Sequence, residues 1–82
     1  MRVAVDISLY PLADDFLPPI KDIVERLNNN SSVEVVTNAM STQIRGEFGE
    51  VMAVLNKEIR QTFEQCPKAV FAIKMLNNPL GD

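Results

Sequence analysis

The sequence predicts an α+β fold in which two helices cover one face of a four-stranded antiparallel sheet. Apolar residues alternate with period two near both ends of the chain, which is typical of half-buried strands. Two longer stretches show the three-to-four spacing of helices, and the elements follow one another in the order βαββαβ. The 82 residues leave room for one such domain, assigned to residues 1–82.

The first strand and the first helix are predicted by different periods. Apolar side chains alternate along residues 2–10, at Val3, Val5, Ile7 and Leu9. A helix is expected from about Pro18, because prolines fit only the first helical turn. We expect Asp14 and Asp15 to cap its N-terminus. The run 28–32, Asn-Asn-Asn-Ser-Ser, should end the helix with an asparagine in the left-handed region.

The second half of the chain repeats this alternation of strand and helix. Strands are predicted over residues 33–37, 41–47 and 69–76, with a turn at 38–40. The second helix is expected over residues 48–65, and Pro67 marks its end. Its core stripe is predicted to be Phe48, Met52, Leu55, Ile59 and Phe63.

This order of elements matches the ferredoxin-like split βαβ arrangement, a βαββαβ sandwich with sheet order 4-1-3-2. The predicted helix-side residues are Val3, Val5, Ile7, Leu9, Ile44, Phe71, Ile73 and Met75. The predicted open face carries Asp6, Ser8, Tyr10, Gln43, Arg45, Val70, Ala72 and Lys74. We expect ion pairs there among Asp6, Arg45, Glu47 and Lys74, and either solvent or a second subunit over the face.

Composition excludes several classes of function. With 8 Lys+Arg against 11 Asp+Glu, the chain lacks the basic character of nucleic-acid binders. Its lack of histidine excludes ordinary Ser-His or Cys-His catalysis and histidine-ligated zinc, and a single cysteine forms no internal disulfide. No cofactor or metal is implied, and Cys66 is interpreted as structural. With no signal peptide and no membrane span in the pattern, a cytoplasmic location is expected.

The topology brings polar residues together where the first strand ends beside the turn between strands two and three. Hydroxyls, an amide and a thioether in one region suit recognition of a small, flat, polar ring. Alternatively, the turn is an ordinary hairpin whose Asn and Ser bond its own backbone. The residues concerned are Ser8, Tyr10, Asn38, Met40, Ser41 and Thr42.

Two segments carry a family resemblance. Ile-Ser-Leu-Tyr-Pro-Leu at 7–12, and Asn-Ala-Met-Ser-Thr at 38–42 followed by Gly46-Glu47, resemble the small thiamine-binding protein family. The resemblance implies non-enzymatic, cytosolic binding of thiamine or its hydroxymethylpyrimidine half, for buffering or delivery. It also implies a homo-oligomer, a dimer or tetramer assembled through sheet edges and the open face. The binding residues it implies are Ser8, Tyr10, Asn38, Met40, Ser41, Thr42 and Glu47.

Two other functions stay open. The protein is alternatively a structural or regulatory homo-oligomer whose sheet face binds only protein. A small enzyme using Asp6 or Glu47 as a base is the remaining hypothesis, since the fold hosts many activities.

Overall fold

The computed structural model describes residues 1–79 and confirms the βαββαβ order. The four strands form one antiparallel sheet in the order β2-β3-β1-β4, which is the predicted order 4-1-3-2 in reverse. The last three residues of the predicted polar tail lie outside the described residues. The elements are β1 (Arg2–Pro11), α1 (Leu17–Asn28), β2 (Glu34–Thr37), β3 (Thr42–Glu47), α2 (Phe48–Gln65) and β4 (Ala69–Asn77).

The core lies between the helices and the central strands. Val5 of β1 and Ile44 of β3 are partners in the sheet, and both are almost fully buried. Val3, Val5, Ile7 and Leu9 of β1 are buried as predicted, because a strand alternates its side chains between two faces. On the open face Lys74 Nζ lies 3.6 Å from Asp6 Oδ2, which is one of the expected ion pairs.

Within residues 1–79 no helix is long and apolar enough to cross a membrane.

The start of α1 differs from the prediction in its cap. Phe16 occupies the N-cap position and no side chain bonds the first turn, so the prediction that Asp14 and Asp15 cap the helix is wrong. Pro18 and Pro19 lie in that first turn, as predicted. Since proline has no N–H, two of the donors that a cap would satisfy do not exist.

The end of α1 is also built differently. Asn29, at the C-cap, has φ of −85°, so the prediction of a left-handed asparagine is wrong there. The backbone amides of Asn29 and Asn30 bond the last-turn carbonyls of Glu25, Arg26 and Leu27, and two side-chain amides add to these bonds. Asn28 Nδ2 donates to the Val24 carbonyl and Asn30 Nδ2 donates to the Arg26 carbonyl, both at 2.8 Å. Backbone amides, helped by these side-chain donors, thus satisfy the end of the helix without a left-handed residue.

Helix α2 turns only part of its predicted core stripe inward: Leu55 is buried and Ile59 packs against the core, as predicted. Phe48, Met52 and Phe63 are 40%, 41% and 48% exposed, so the prediction that they belong to the core is wrong. Two stripes with helical spacing share Leu55, and the structure buries the other one, which includes two polar residues. The buried residues of α2 are Val51, Val54, Leu55, Glu58 and Thr62.

Glu58 and Thr62 are buried because Arg26 of α1 reaches them. Arg26 Nη1 lies 2.6 Å from Glu58 Oε1, and its Nη2 donates to Thr62 Oγ1. Asn30 Nδ2 donates to the second Glu58 oxygen at 2.9 Å. Burial raises the pKa of Glu58, but the hydrogen bonds from Asn30 and Arg26 and the charge of Arg26 outweigh it and hold the pKa below its usual range. The two helices are therefore joined by a satisfied buried ion pair.

Replacing Arg26 with Met should lower the free energy of unfolding by about 3–5 kcal/mol, because it leaves the buried Glu58 carboxylate without its buried counter-charge. Urea denaturation measures this change. The control is Asp22→Asn, since Asp22 is 44% exposed and its ion pair with Arg26 should contribute no more than about 1 kcal/mol. Equal losses in the two variants would contradict the assignment.

The same ion pair predicts how stability depends on pH. Because folding lowers the pKa of Glu58, the stabilisation is complete above the unfolded value of 4.5 and is lost as pH falls through the lower folded value. A Glu58→Gln variant should lose less stability than the wild type between about pH 5 and pH 3. Parallel slopes of unfolding free energy against pH in the two proteins would refute this prediction.

Candidate functional site

The candidate site begins where β1 outlasts its neighbour. β4 pairs with β1 from Val3 to Pro11, whereas β3 pairs with it only from Arg2 to Ile7. The last residues of β1 therefore have a strand on one side only. A cavity of about 220 Å³ lies along this free stretch, between α1 and the turn that joins β2 to β3.

The cavity brings together six of the seven residues predicted for ligand binding. Ser8 and Tyr10 alternate with Ile7 and Leu9 along β1, so their side chains point toward the open face and border the cavity from the strand edge. The other four belong to the turn. The predicted residues that line the cavity are Ser8, Tyr10, Asn38, Met40, Ser41 and Thr42. Their role in binding stays a prediction.

Glu47, the seventh predicted residue, is placed elsewhere. It closes β3 at the end remote from the turn and forms the N-cap of α2. Its side chain accepts a hydrogen bond from the Gly49 amide at 2.9 Å. This contact satisfies one of the free N–H groups at the helix start, which is the usual role of an acidic side chain there.

Asn38 shapes the turn through its side-chain oxygen. Asn38 Oδ1 accepts from the Met40 amide at 2.8 Å and from the Ser41 amide at 3.1 Å. The hairpin interpretation therefore describes this oxygen correctly. The Nδ2 group of Asn38 donates to none of the residues in 1–79, and the residue lines the cavity. Asn38 thus holds the turn with one atom and has a donor left for a ligand.

A pair of threonines supplies a second donor. Thr37 Oγ1 and Thr42 Oγ1 are 3.0 Å apart, and Asn28 Nδ2 donates to Thr37 Oγ1 at 3.0 Å. The two hydroxyls carry two protons but share one hydrogen bond, so one proton is left over whichever oxygen donates. Both threonines line the cavity. Thr37 was not predicted as a site residue, although its pairing with Thr42 across the hairpin was a usable signal.

The remaining walls are apolar, and half of their residues come from α1. They are Ile20, Ile23, Val24 and Leu27 of the helix, with Ile7, Leu9, Ala39 and Phe71 from outside it. Sequence reasoning missed them as site residues because an apolar helix stripe looks the same whether it faces a core or a ligand.

The cavity is electrically neutral. None of the residues that line it is acidic or basic. Nor do residues 1–79 contain a group of three or more His, Cys, Asp or Glu side chains placed to hold a metal ion. A few convergent donors among apolar walls can hold a small uncharged ring, but they offer no group that titrates near neutral pH.

The chain belongs to the thiamine-binding protein family, whose model matches residues 5–80. A candidate thiamine biosynthesis/salvage protein from Thermotoga maritima has a similar structure, with 19% identity, a TM-score of 0.84, and coverage of 95% of this chain and 85% of that one. A protein from Streptococcus pneumoniae gives 20% identity and a TM-score of 0.88 over 98% and 90% of the two chains.

A third similar structure is a hypothetical protein from Methanocaldococcus jannascii, with 19% identity and a TM-score of 0.79 over 99% of this chain and 84% of that one. At such identities these likenesses establish the fold alone. No curated protein matches this chain closely enough to count as a relative.

Removing the Asn38 side chain should loosen the turn that encloses the cavity. Asn38→Ala leaves two amides without their acceptor and should cost about 1–2 kcal/mol of unfolding free energy. Asn38→Asp keeps the acceptor and should cost less. Urea denaturation and amide exchange at Met40 and Ser41 measure both effects. If Ala and Asp behave alike, the side-chain oxygen does not hold the turn.

Proposed function

We propose that this protein binds thiamine or its hydroxymethylpyrimidine half in the cavity between α1, β1 and the β2–β3 turn, without transforming it. The observation that carries the proposal is the neutral cavity with unused hydrogen-bond donors, in a member of the thiamine-binding family. It holds the ligand in the cytosol for buffering or delivery. It needs no nucleic acid, membrane or metal for this role.

The size of the cavity supports entry of one ring. Its 220 Å³ is below the roughly 300–1,000 Å³ of sites that enclose drug-sized ligands. Thiamine joins a neutral aminopyrimidine to a cationic thiazolium ring. The pyrimidine suits the neutral interior, whereas burying the thiazolium charge without a counter-charge would be costly. The thiazolium therefore stays at the mouth, in contact with water.

The predicted residues divide into interior and rim. Thr42 is 4% exposed, and its hydroxyl pair offers the interior donor. Asn38 Nδ2 and the Ser8 and Ser41 hydroxyls are the other polar groups proposed to reach the ligand. Tyr10 and Met40 are 56% and 87% exposed, so they are proposed to pack on the ligand at the rim.

The absence of a charged or imidazole group along the cavity supports a binder rather than a catalyst. General acid–base chemistry needs a group whose pKa lies near the working pH. Of the two bases considered from the sequence, Asp6 lies near Lys74 on the open face and Glu47 caps α2, and neither lines the cavity. The enzymatic hypothesis therefore has no candidate base at the proposed site.

Isothermal titration should show binding of thiamine and of hydroxymethylpyrimidine, but not of the free thiazolium half. Melting temperature should rise with the two ligands that bind, because a ligand of the native state stabilises it. Thr42→Val should weaken binding about tenfold or more, since it removes a hydroxyl from a buried pair. Ser32→Ala, an exposed change outside the cavity, is the matched control.

No heat and no melting shift with either pyrimidine compound at millimolar concentration would refute the proposed function. A stable multimer that also failed to respond to other small metabolites would favour the structural or regulatory alternative.

We also propose that the protein is a homo-oligomer, with a second copy covering the groove between α2 and β4. The groove measures about 790 Å³ and contains four of the five residues predicted as the core stripe of α2. It is lined by Met52, Leu55, Asn56, Ile59, Arg60, Phe63, Glu64, Ile73 and Met75. Ile73 and Met75 lie on the helix side as predicted, yet they are 41% and 43% exposed. Monomeric proteins rarely expose a contiguous apolar surface of this kind to water, so we expect it to be covered.

A second copy fits the groove because the surface is self-complementary. β4 is an edge strand of nine residues without proline, so its outer backbone groups are available to pair with the same strand of another chain. Arg60 and Glu64, one turn apart on α2, carry opposite charges at the groove. In a two-fold contact with the α2 helices antiparallel, Arg60 of each copy is expected opposite Glu64 of the other. Exposed Tyr10 and Val70 make the open face the competing location.

Light scattering after gel filtration distinguishes the two surfaces. Met75→Lys should dissociate the oligomer if the groove is the interface, because it places a charge on an apolar contact. Val70→Lys should leave the mass unchanged, and it would dissociate the oligomer instead if the open face is the interface. A wild-type protein that is monomeric at high micromolar concentration would contradict both locations.

A further inference from the structure

The hydrogen-bond pattern of β1 fixes the side toward which the backbone N–H and C=O of Leu9 point. The Leu12 amide donates to the Lys68 carbonyl at 3.0 Å, which puts even-numbered residues of β1 in hydrogen-bonded pairs with β4. On the other side, the Phe48 amide donates to the Met1 carbonyl at 2.9 Å, so odd-numbered residues face β3. Antiparallel strands alternate in this way along their length. The N–H and C=O of Leu9 therefore point toward the side of β3.

On the side of β3, the pairing of β1 has already ended before Leu9. Ile7 pairs with Thr42, and continuing this register by one hydrogen-bonded position puts Met40 opposite Leu9. Met40 does not take that place. Its amide donates to Asn38 Oδ1 at 2.8 Å, and the residue is 87% exposed.

The Leu9 main chain is left with an unused donor and acceptor at the cavity. Neither group has a hydrogen-bond partner among residues 1–79. Leu9 itself is 8% exposed and lines the cavity. A buried backbone group without a partner costs about 1–3 kcal/mol, so a bound molecule that satisfies both groups gains affinity from them.

We infer that the Leu9 N–H and C=O are the recognition edge of the site, and that the ligand class is a planar heterocycle with an adjacent acceptor and donor on one edge. This inference rests on the proposed function and names the group that selects the ligand. In a hydrogen-bonded antiparallel pair, two residues exchange both N–H···O bonds. A ring nitrogen beside an exocyclic amino group offers the same pattern as the missing residue. The ligand takes the place in the ladder that Met40 vacates.

The surroundings agree with a ring in this position. A ring bonded to the strand edge extends the sheet, so one of its faces meets the apolar side chains of α1, such as Ile20 and Val24. The threonine hydroxyl proton and Asn38 Nδ2 then remain for substituents on the other edges. The 4-aminopyrimidine of thiamine carries this acceptor–donor edge, and so do cytosine and adenine.

Amide hydrogen exchange by NMR tests the inference directly, with hydroxymethylpyrimidine as the probe. In the free protein the Leu9 amide should exchange its proton faster than other buried amides in the strands do. Saturating ligand should slow its exchange by at least tenfold and move its proton resonance downfield. The Val5 and Ile7 amides are internal controls, because they face Ile44 and Thr42 in the ladder and should change little.

Changes to the ligand test the acceptor–donor edge. Replacing the 4-amino group by hydrogen or by dimethylamino removes the donor, and each should weaken binding at least tenfold relative to hydroxymethylpyrimidine. The wild-type protein is used throughout, so no variant has to fold.

The outcomes separate this inference from the proposed function. Two results would overturn the assignment of Leu9 as the recognition edge and leave the proposed function standing. One is binding of hydroxymethylpyrimidine without protection of the Leu9 amide, and the other is undiminished binding of the dimethylamino compound. Protection of the Leu9 amide by 4-aminopyrimidine or cytosine, with no binding of thiamine or hydroxymethylpyrimidine, would support Leu9 as the recognition edge and overturn the proposed ligand. No binding by any of these compounds would overturn both.

Discussion

The mismatch in length between β1 and β3 is the constraint from which the site follows. β1 has ten residues and β3 has six, and β4 pairs along the part of β1 that β3 does not reach. A continuous ladder on both sides would have left no room beside Leu9. Asn38 maintains the gap, because its side chain binds the amide that would otherwise extend β3. Cavity, turn and free backbone edge are thus consequences of one interrupted pairing.

The other wall of the cavity depends on how α1 is held. Arg26 ties the helix to α2 through buried Glu58, while Asn28 ties its end to Thr37 of β2. The first contact lies on the flank of α1 that faces α2, and the second lies beside the cavity. Polar contacts at both places fix the position of a helix whose inner face is apolar.

Much of the fold could be predicted from local patterns, and the failures share a cause. Period-two alternation in β1 and prolines in the first turn of α1 are local signals, and both were read correctly. The buried stripe of α2 was misread because Glu58 and Thr62 look like surface residues until Arg26, far away in the chain, is placed beside them. The N-terminal cap failed for a local reason, since prolines remove the donors that Asp14 or Asp15 would bind. Six of the seven predicted site residues line one cavity, whereas Glu47 caps a helix.

The sequence by itself determined the element order, the sheet order and the meeting of the β1 end with the β2–β3 turn. These follow from periodicity and from the handedness of connections, which are properties of the chain. Only the tertiary structure decided which stripe of α2 is buried, which helix walls the cavity and where β3 stops pairing. Those outcomes depend on contacts between residues distant in sequence, such as Arg26 with Glu58. They also depend on one side chain, Asn38, that competes with the sheet for a backbone amide.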